Sequence, residues 1–407
     1  MPVITVFNGI FCQSGQVVRT LAESTGYKLV TDQDIVAEAA KLADMSEEKI
    51  ARAFSAKTSV FNPFSHEKER AVAYLRLALA KKLSGEDNQI VYGFTAQLPS
   101  QDIKHVMSVC LIDKISDRLA SAAESDGYAE KSALSLIEND DKDRAAWTKL
   151  TRSEDDPWKA ELYDMVIPVK ATGEKGAVER IVEQSKSDVL KLTGESSKAT
   201  RDFLLAATVE TVLANNGHHV SVAANSGNVT ITINKNVLML GRLETELKNL
   251  ASEVDGVNEV TTRVGKEFHK DDIYRQVNFE LPSRVLLVDD EREFVSTLSE
   301  RLMLREMGSA VAYDGESALN LIEEDEPEVM ILDLKMPGID GIEVLRRVKS
   351  SSPEVEVIIL TGHGSEDDRK TCMDLGAFAY LHKPVDIEQL SAKLKEAKDN
   401  IRSRQSA

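Results

Sequence analysis

Apolar positions fall into three regimes along this chain. From residue 1 to about 192, short apolar runs (Val3–Phe7, Gln89–Gly93, Val106–Ile112, Met165–Val169) alternate with stretches where apolar residues recur every three or four positions. The longest such stretch runs from about Glu67 to Leu83, with Ala71, Tyr74, Leu75, Ala78 and Leu79 on one face. A short continuous apolar run reads as a strand covered on both faces, and the 3.6-residue recurrence reads as an amphipathic helix. Their alternation predicts a parallel sheet flanked by helices.

From about 198 to 268 the pattern changes. A helix expected over Thr200–Asn215, with Phe203, Leu204, Ala207, Val209 and Val212 as its core face, precedes two alternating runs, HVSVAA and NVTITIN. Between the runs, Asn225-Ser226-Gly227-Asn228 is dense in turn formers and predicts a hairpin. A second helix over about Met239–Glu253 and a strand over Asn258–Val264 complete an α-β-β-α-β order. That order, with the phrases GNVTIT and VDGVNEV, resembles a BON-type domain, which implies a small α+β binding module. His218 and His219 are strand neighbours pointing to opposite faces, so they do not readily share a metal ion. The linker Gly265–Ser283 mixes charges and closes on Leu281-Pro282-Ser283, a boundary signal.

Residues 284–402 give five β/α repeats. The strands read RVLLV, SAVAY, VMILD, EVIIL and AYLHK, with helices expected from near Glu293, Glu316, Ile342, Ser365 and Ile387. Strands without alternation need cover on both faces, which predicts a doubly wound five-stranded parallel sheet. In such sheets ligands collect at the carboxyl ends of the strands. The polar residues stand there: Asp289 and Asp290 after the first strand, Asp333 ending the third, Thr361 ending the fourth and Lys383 after the fifth.

Three carboxylates converging on one point repel one another unless a cation neutralises them. All-oxygen ligands with room for water and a phosphoryl oxygen describe a Mg²⁺ site. Asp333 is then the nucleophile that becomes an aspartyl phosphate. Asp289 and Asp290 hold the metal directly or through water, with the backbone carbonyl of Lys335 as a third protein ligand. Lys383 neutralises one phosphoryl oxygen, and the Thr361 hydroxyl bonds another.

VLLVDDE, ILDLKMPGIDG, LTGHG and YLHKPVD, in order and at this spacing, resemble the motifs of response-regulator receiver domains over about 120 residues. The resemblance implies phosphorylation on Asp333 by a sensor histidine kinase or a phosphotransfer protein, and an output through a downstream protein that the sequence does not identify. It further implies that Tyr380 is the aromatic that turns inward when Thr361 moves, and that the Lys383–Pro384 peptide is cis. Ile339 stands where a Met is common and keeps the position apolar.

The N-terminal strand VITVF runs into Asn8-Gly9-Ile10-Phe11-Cys12-Gln13-Ser14-Gly15-Gln16 and then the helix VVRTLAES. A glycine-bearing strand-to-helix turn can aim backbone N–H groups at a phosphate. A working phosphate loop adds a Lys and a Ser or Thr; Gln16 and Val17 stand in those places. Taken together with SGQVVRTLAESTGYKLVTDQDIVAEAAK, IVYGF, HVMSVCLI, DRL and DKDRAAW, the segment 1–192 resembles the cytidylate-kinase-like family of P-loop nucleotide kinases. The resemblance implies a nucleotide site using Gly9, Ser14 and Gly15, with Asp32 near an acceptor nucleotide and Arg118 and Arg144 as phosphate-clamping arginines. Phe94 follows Gly93 where that family often has Arg. Three weakened positions argue against efficient phosphoryl transfer, since losing one charge-stabilising donor costs about 10²–10³ in rate.

The chain has 50 Lys and Arg against 68 Asp and Glu, a net charge of −18. This argues against nucleic acid or an anionic membrane as a partner, because both need clustered cations. No helix-turn-helix signal is visible, no stretch approaches the ~20 apolar residues of a membrane span, and the N-terminus lacks the features of a secretory signal. The three cysteines, Cys12, Cys110 and Cys372, match no metal or redox spacing. The expectation is a cytoplasmic multidomain α/β protein, with 1–192 kinase-like, 198–268 a small α+β unit and 284–402 a receiver, acting as a phosphorelay response regulator. Two alternatives stay open: a nucleotide kinase controlled by the receiver, and an N-terminal segment that forms a homodimer whose assembly the receiver modulates.

Overall fold

The first 31 residues set the pattern of the N-terminal half. Strand β1 (Val3–Asn8) is buried at every position. Its alternate side chains serve two cores: Ile4 and Val6 pack with Leu21, Val109 and Ile181 on one face, and Val3 and Phe7 with Ile35, Leu75 and Ile103 on the other. The period of two along a strand produces this division. With β2 (Lys28–Thr31), β3 (Gln89–Tyr92), β4 (Val106–Leu111) and β5 (Met165–Ile167) it forms a parallel sheet of order β2-β3-β1-β4-β5. The expected runs are all strands of this sheet.

The computed structural model describes residues 2–85, 88–237, 239–266, 268, 276–362 and 364–405. Of the expected linker Gly265–Ser283, positions 267 and 269–275 lie outside the described residues, as does His363 of the LTGHG stretch. The chain forms two compact units. The first comprises residues 1–58, 67–215 and 219–274, and the second comprises 59–66, 216–218 and 275–407.

The expected boundary near 192–198 falls inside the first unit, between Leu190 and the helix that starts at Gly194. Helix Gly194–Asn215 starts before Thr200 and lies against helix Glu67–Leu83, with Arg76 paired to Glu210 at 2.5 Å and the Tyr74 hydroxyl 2.9 Å from the Asn215 amide oxygen. Its Phe203 and Ala207 join the core under the first sheet, while Val209 and Leu213 enter the core of a second. One helix therefore belongs to two cores. The second sheet is β6 (Ser221–Asn225) antiparallel to β7 (Asn228–Ile233), with β8 (Glu259–Val264) parallel to β7. The expected hairpin is present, and its turn takes positive φ at both Ser226 and Gly227 (53° and 82°), as a tight two-residue hairpin requires.

The second unit holds β9 (Val285–Val288), β10 (Ser309–Ala312), β11 (Val329–Leu332), β12 (Glu356–Thr361) and β13 (Ala379–His382), all parallel, in the order β10-β9-β11-β12-β13. The intervening helices start at Arg292, Gly315, Gly341, Glu366 and Ile387, within a residue of expectation. Asp314, Asp340 and Ser365 cap three of them by accepting backbone N–H bonds. Helices on both faces explain the fully apolar strands.

Candidate functional site

The charged residues Asp289, Asp333 and Lys383 of the C-terminal sheet stand where strands stop. Asp289 follows β9 and donates its backbone N–H to Ala312; Asp333 follows β11 and donates its own to Val288. Neighbouring strands thus hold the two backbones, and both residues are 5% exposed, while Asp290 is exposed. One carboxylate oxygen from each of Asp289, Asp290 and Asp333 lies within 4.8 Å of the others. Lys383, just past β13, places its ammonium 2.6 Å from Asp289, 2.9 Å from Glu291 and 4.0 Å from Asp333. The ammonium nitrogen also lies over the ring of Phe294, 4.4 Å from its centroid.

Burial pushes the Asp289 carboxyl up from its ordinary range, and the Lys383 bond opposes that shift. For Lys383, burial pulls the ammonium down, but hydrogen bonds to Asp289 and Glu291 outweigh it and the pKa is raised. The lysine is therefore held as a cation beside the carboxylates. One oxygen of Asp333, Oδ1, is buried without a hydrogen-bond partner among the described residues. Leaving a buried acceptor unpaired is costly unless something else ligates it. A hard divalent cation with oxygen ligands fits this donor set.

Thr361 ends β12 and is fully buried. A side chain on Gly364 would lie 1.7 Å from the Tyr380 hydroxyl and 2.9 Å from the Thr361 methyl, so both side chains crowd the same stretch of backbone. Tyr380 is half-buried, stands edge-on to His382 at 5.3 Å, and its hydroxyl has no partner among the described residues. Lys335 is exposed in the loop after Asp333, and the Lys383–Pro384 peptide is cis. Sequence reasoning missed Glu291, the second carboxylate on Lys383. The signal was present in the unbroken run Asp289-Asp290-Glu291.

The N-terminal sheet ends differently. A cleft of about 860 Å³ opens beside the turn between β1 and helix Ser14–Thr25. Ser14 and Gly15 line it together with Asn8, Gln16, Arg19 and Tyr92; Gly9, Asp32, Arg118 and Arg144 do not. Gly9 is small for packing reasons, since a Cβ there would meet Ile112 at 2.6 Å.

The expected clamp arginines are engaged inside the fold. Arg118, 1% exposed, bonds both oxygens of Asp141 at 2.9 Å and donates to the carbonyl of Ile10. Arg144 bonds Asp140 at 2.7 Å, and its guanidinium carbon lies 4.4 Å from the Phe94 ring centroid and 5.0 Å from that of Phe7. Asp140 also accepts from the Ile10 N–H in the turn itself. Asp32 accepts from the backbone of Phe94 and from both the N–H and hydroxyl of Thr95, bracing the bend at Gly93, and burial raises its pKa. The structure thus brings Arg118 and Arg144 to carboxylates on helix Glu130–Arg152 rather than to the cleft. The i,i+4 spacing of Asp140 and Arg144 was the readable sign of this pairing.

Two separate segments of the chain match known families. Residues 285–395 match the response regulator receiver domain, and residues 3–171 match the cytidylate kinase-like family. The receiver segment is 36% identical over 115 residues to the response regulator MprA of Mycolicibacterium vanbaalenii, covering 28% of this chain and 50% of that protein. It is 36% identical over 112 residues to MprA of Mycobacterium avium, covering 28% and 49%. The chain thus spans about half the length of the curated relatives it matches. Among solved structures, a CheY-like receiver domain protein from Methanospirillum hungatei JF-1 is 27% identical, covering 30% of this chain and 97% of that one with a TM-score of 0.29. No helix among the described residues is long and apolar enough to cross a membrane.

Proposed function

We propose that this protein is a two-component response regulator that takes a phosphoryl group on Asp333 from a phosphohistidine donor and signals through protein contacts. The observation that carries this reading is the meeting of Asp289, Asp290 and Asp333 at the carboxyl ends of the strands, with Asp333 Oδ1 buried and without a hydrogen-bond partner among the described residues and Lys383 alongside. In the transfer, an oxygen of Asp333 attacks phosphorus, the P–N bond of the donor breaks, and the imidazole nitrogen leaves with the electron pair. Asp289, Asp290 and Asp333, with the carbonyl of Lys335, would hold Mg²⁺, which supplies neutralisation of charge on the phosphoryl oxygens. Lys383 is already cationic at the site and answers a further oxygen. Thr361 donates its hydroxyl to the new phosphoryl group, and Tyr380, crowded against the same backbone, takes up the space released.

The kinase-like half contributes contacts rather than catalysis in this reading. Gln16 stands in the place of a phosphate-binding lysine, and Asp140 and Asp141 hold the two arginines. The test is labelling of the full chain by acetyl phosphate. Asp333→Asn and EDTA treatment of wild type should each abolish it, and undiminished labelling of the variant would remove the proposal.

A further inference from the structure

At the amino end of the C-terminal sheet, opposite the aspartates, a piece of distant sequence is built into the fold. Residues 59–66 belong to the second unit, although the residues on either side, Thr58 and Glu67, belong to the first. Ser59 donates its hydroxyl to Asp325 at 2.6 Å, and the Val60 N–H donates to the same oxygen at 2.8 Å. Asp325 is itself paired with Arg284 at 2.9 Å, both buried. The Arg284 guanidinium carbon lies 5.3 Å from the centre of the Phe61 ring.

Phe61 is fully buried in the same core as Leu286, Ile322 and Met330. Phe64 lies over Gly308, where a Cβ would come within 1.9 Å of its ring. The chain turns into the short helix Asn62–Ser65 as it crosses this site. An aromatic seated in an apolar core, with a shared carboxylate fixing the backbone beside it, is how a peptide is held in a specific groove. Here the occupant is the protein's own segment.

The position of the site decides its role. Arg284, Gly308 and Asp325 precede β9, β10 and β11, whereas Asp289 and Asp333 follow β9 and β11. The strands are parallel, so the groove and the aspartates lie at opposite ends of four-residue strands, about 13 Å apart along the strand direction. None of the residues holding the segment is among those that answer charge at Asp333. We propose that residues 59–66 are a constitutive anchor of the receiver: an intrachain ligand, centred on Phe61 and clamped by Asp325, that completes the receiver core whether or not Asp333 is phosphorylated.

Hydrogen exchange on the full chain, followed by mass spectrometry, tests this. Peptides covering 59–66 should exchange at least about tenfold more slowly than the same sequence as a free peptide, because their N–H groups are held by a core and not by local structure alone. Phe61→Ala should remove that protection and accelerate exchange in peptides covering 284–288 and 319–325. Gly308→Ala, which displaces Phe64 from the other side of the contact, and Ser59→Ala, which removes one donor to Asp325, should do the same to smaller degrees; they decide the matter if Phe61→Ala does not fold. Free-peptide rates over 59–66 in wild type, or wild-type rates in all three variants, would overturn the anchor. Acetyl phosphate should leave the protection of 59–66 unchanged, and loss of protection on phosphorylation would overturn its constitutive character. That last arm rests on the function proposed above. If no phosphoryl mass appears, that function fails, while the comparison of unphosphorylated variants still decides the anchor.

Discussion

Two parallel sheets in this chain both carry charged residues near the carboxyl ends of their strands, and they use charge in opposite ways. In the N-terminal half each arginine meets a carboxylate of its own, although Arg144 Nη1 is buried without a hydrogen-bond partner among the described residues. Arg118 closes on Asp141, Arg144 closes on Asp140 between two aromatic rings, and Asp32 is filled by three donors from Phe94 and Thr95. In the receiver the balance is deliberately uneven. Asp289, Glu291 and Asp333 face the ammonium of Lys383 with Asp290 beside the other two aspartates, and one oxygen of Asp333 is buried with no partner among the described residues. The difference lies in the ratio: several carboxylates gather around one ammonium in the receiver, whereas in the N-terminal half each arginine is matched by its own aspartate.

This contrast is sharpest where single substitutions should have opposite consequences. Arg118→Ala removes one partner of a nearly buried ion pair and the donor to the Ile10 carbonyl, so unfolding by urea should show a loss of about 3 kcal/mol, with Asp333 labelling in the folded protein intact. A loss below about 0.5 kcal/mol would mean that the arginine is a surface residue in practice.

Asp290→Asn should do the reverse. It relieves repulsion among exposed and buried carboxylates, so stability without Mg²⁺ should hold or rise slightly, while apparent Mg²⁺ affinity, read from the Mg²⁺ dependence of labelling, should weaken by at least about tenfold. Equal Mg²⁺ dependence in wild type and variant would break the comparison on the receiver side.

A smaller effect is expected at Thr361. Thr361→Ala should leave labelling of Asp333 largely intact and shrink the change in hydrogen exchange that phosphorylation causes across residues 361–392. Changes clustered instead on helices Arg292–Met303 and Gly315–Glu324 would place the switch on another face.

Legibility from sequence followed the range of the interactions. The receiver fold and the placement of its charged residues could be read nearly whole because those residues sit in short consecutive motifs at strand ends, and because strands covered on both faces leave largely apolar runs. Even there Glu291 was missed, since a third acidic residue before a helix reads as a solvated first turn. In the N-terminal half the fold was legible, and so was the i,i+4 pairing of Arg144 with Asp140, but the use of Arg118 was not. The Arg118–Asp141 pair joins two helices, and nothing local distinguishes an arginine that meets a carboxylate of its own chain from one that meets a ligand. The continuity of helix Gly194–Asn215 through two cores was hidden because its two apolar faces read as a single core stripe. Least legible of all was the seating of residues 59–66 in the receiver, where Ser59 and Asp325 stand 266 positions apart and no periodicity connects them.

The central claim is that the receiver's uncompensated carboxylate site makes Asp333 the phosphoacceptor of this chain. Acyl phosphates are reduced by borohydride to the corresponding alcohol, which converts a phosphorylated aspartate into homoserine and leaves a free aspartate unchanged. The full chain should therefore be treated with acetyl phosphate and Mg²⁺, reduced, digested and mapped by mass spectrometry. The account predicts homoserine at position 333, dependent on Mg²⁺ and absent when Mg²⁺ is chelated beforehand. Homoserine at another carboxylate with Asp333 unmodified, or none anywhere under saturating phosphodonor and Mg²⁺, would contradict it.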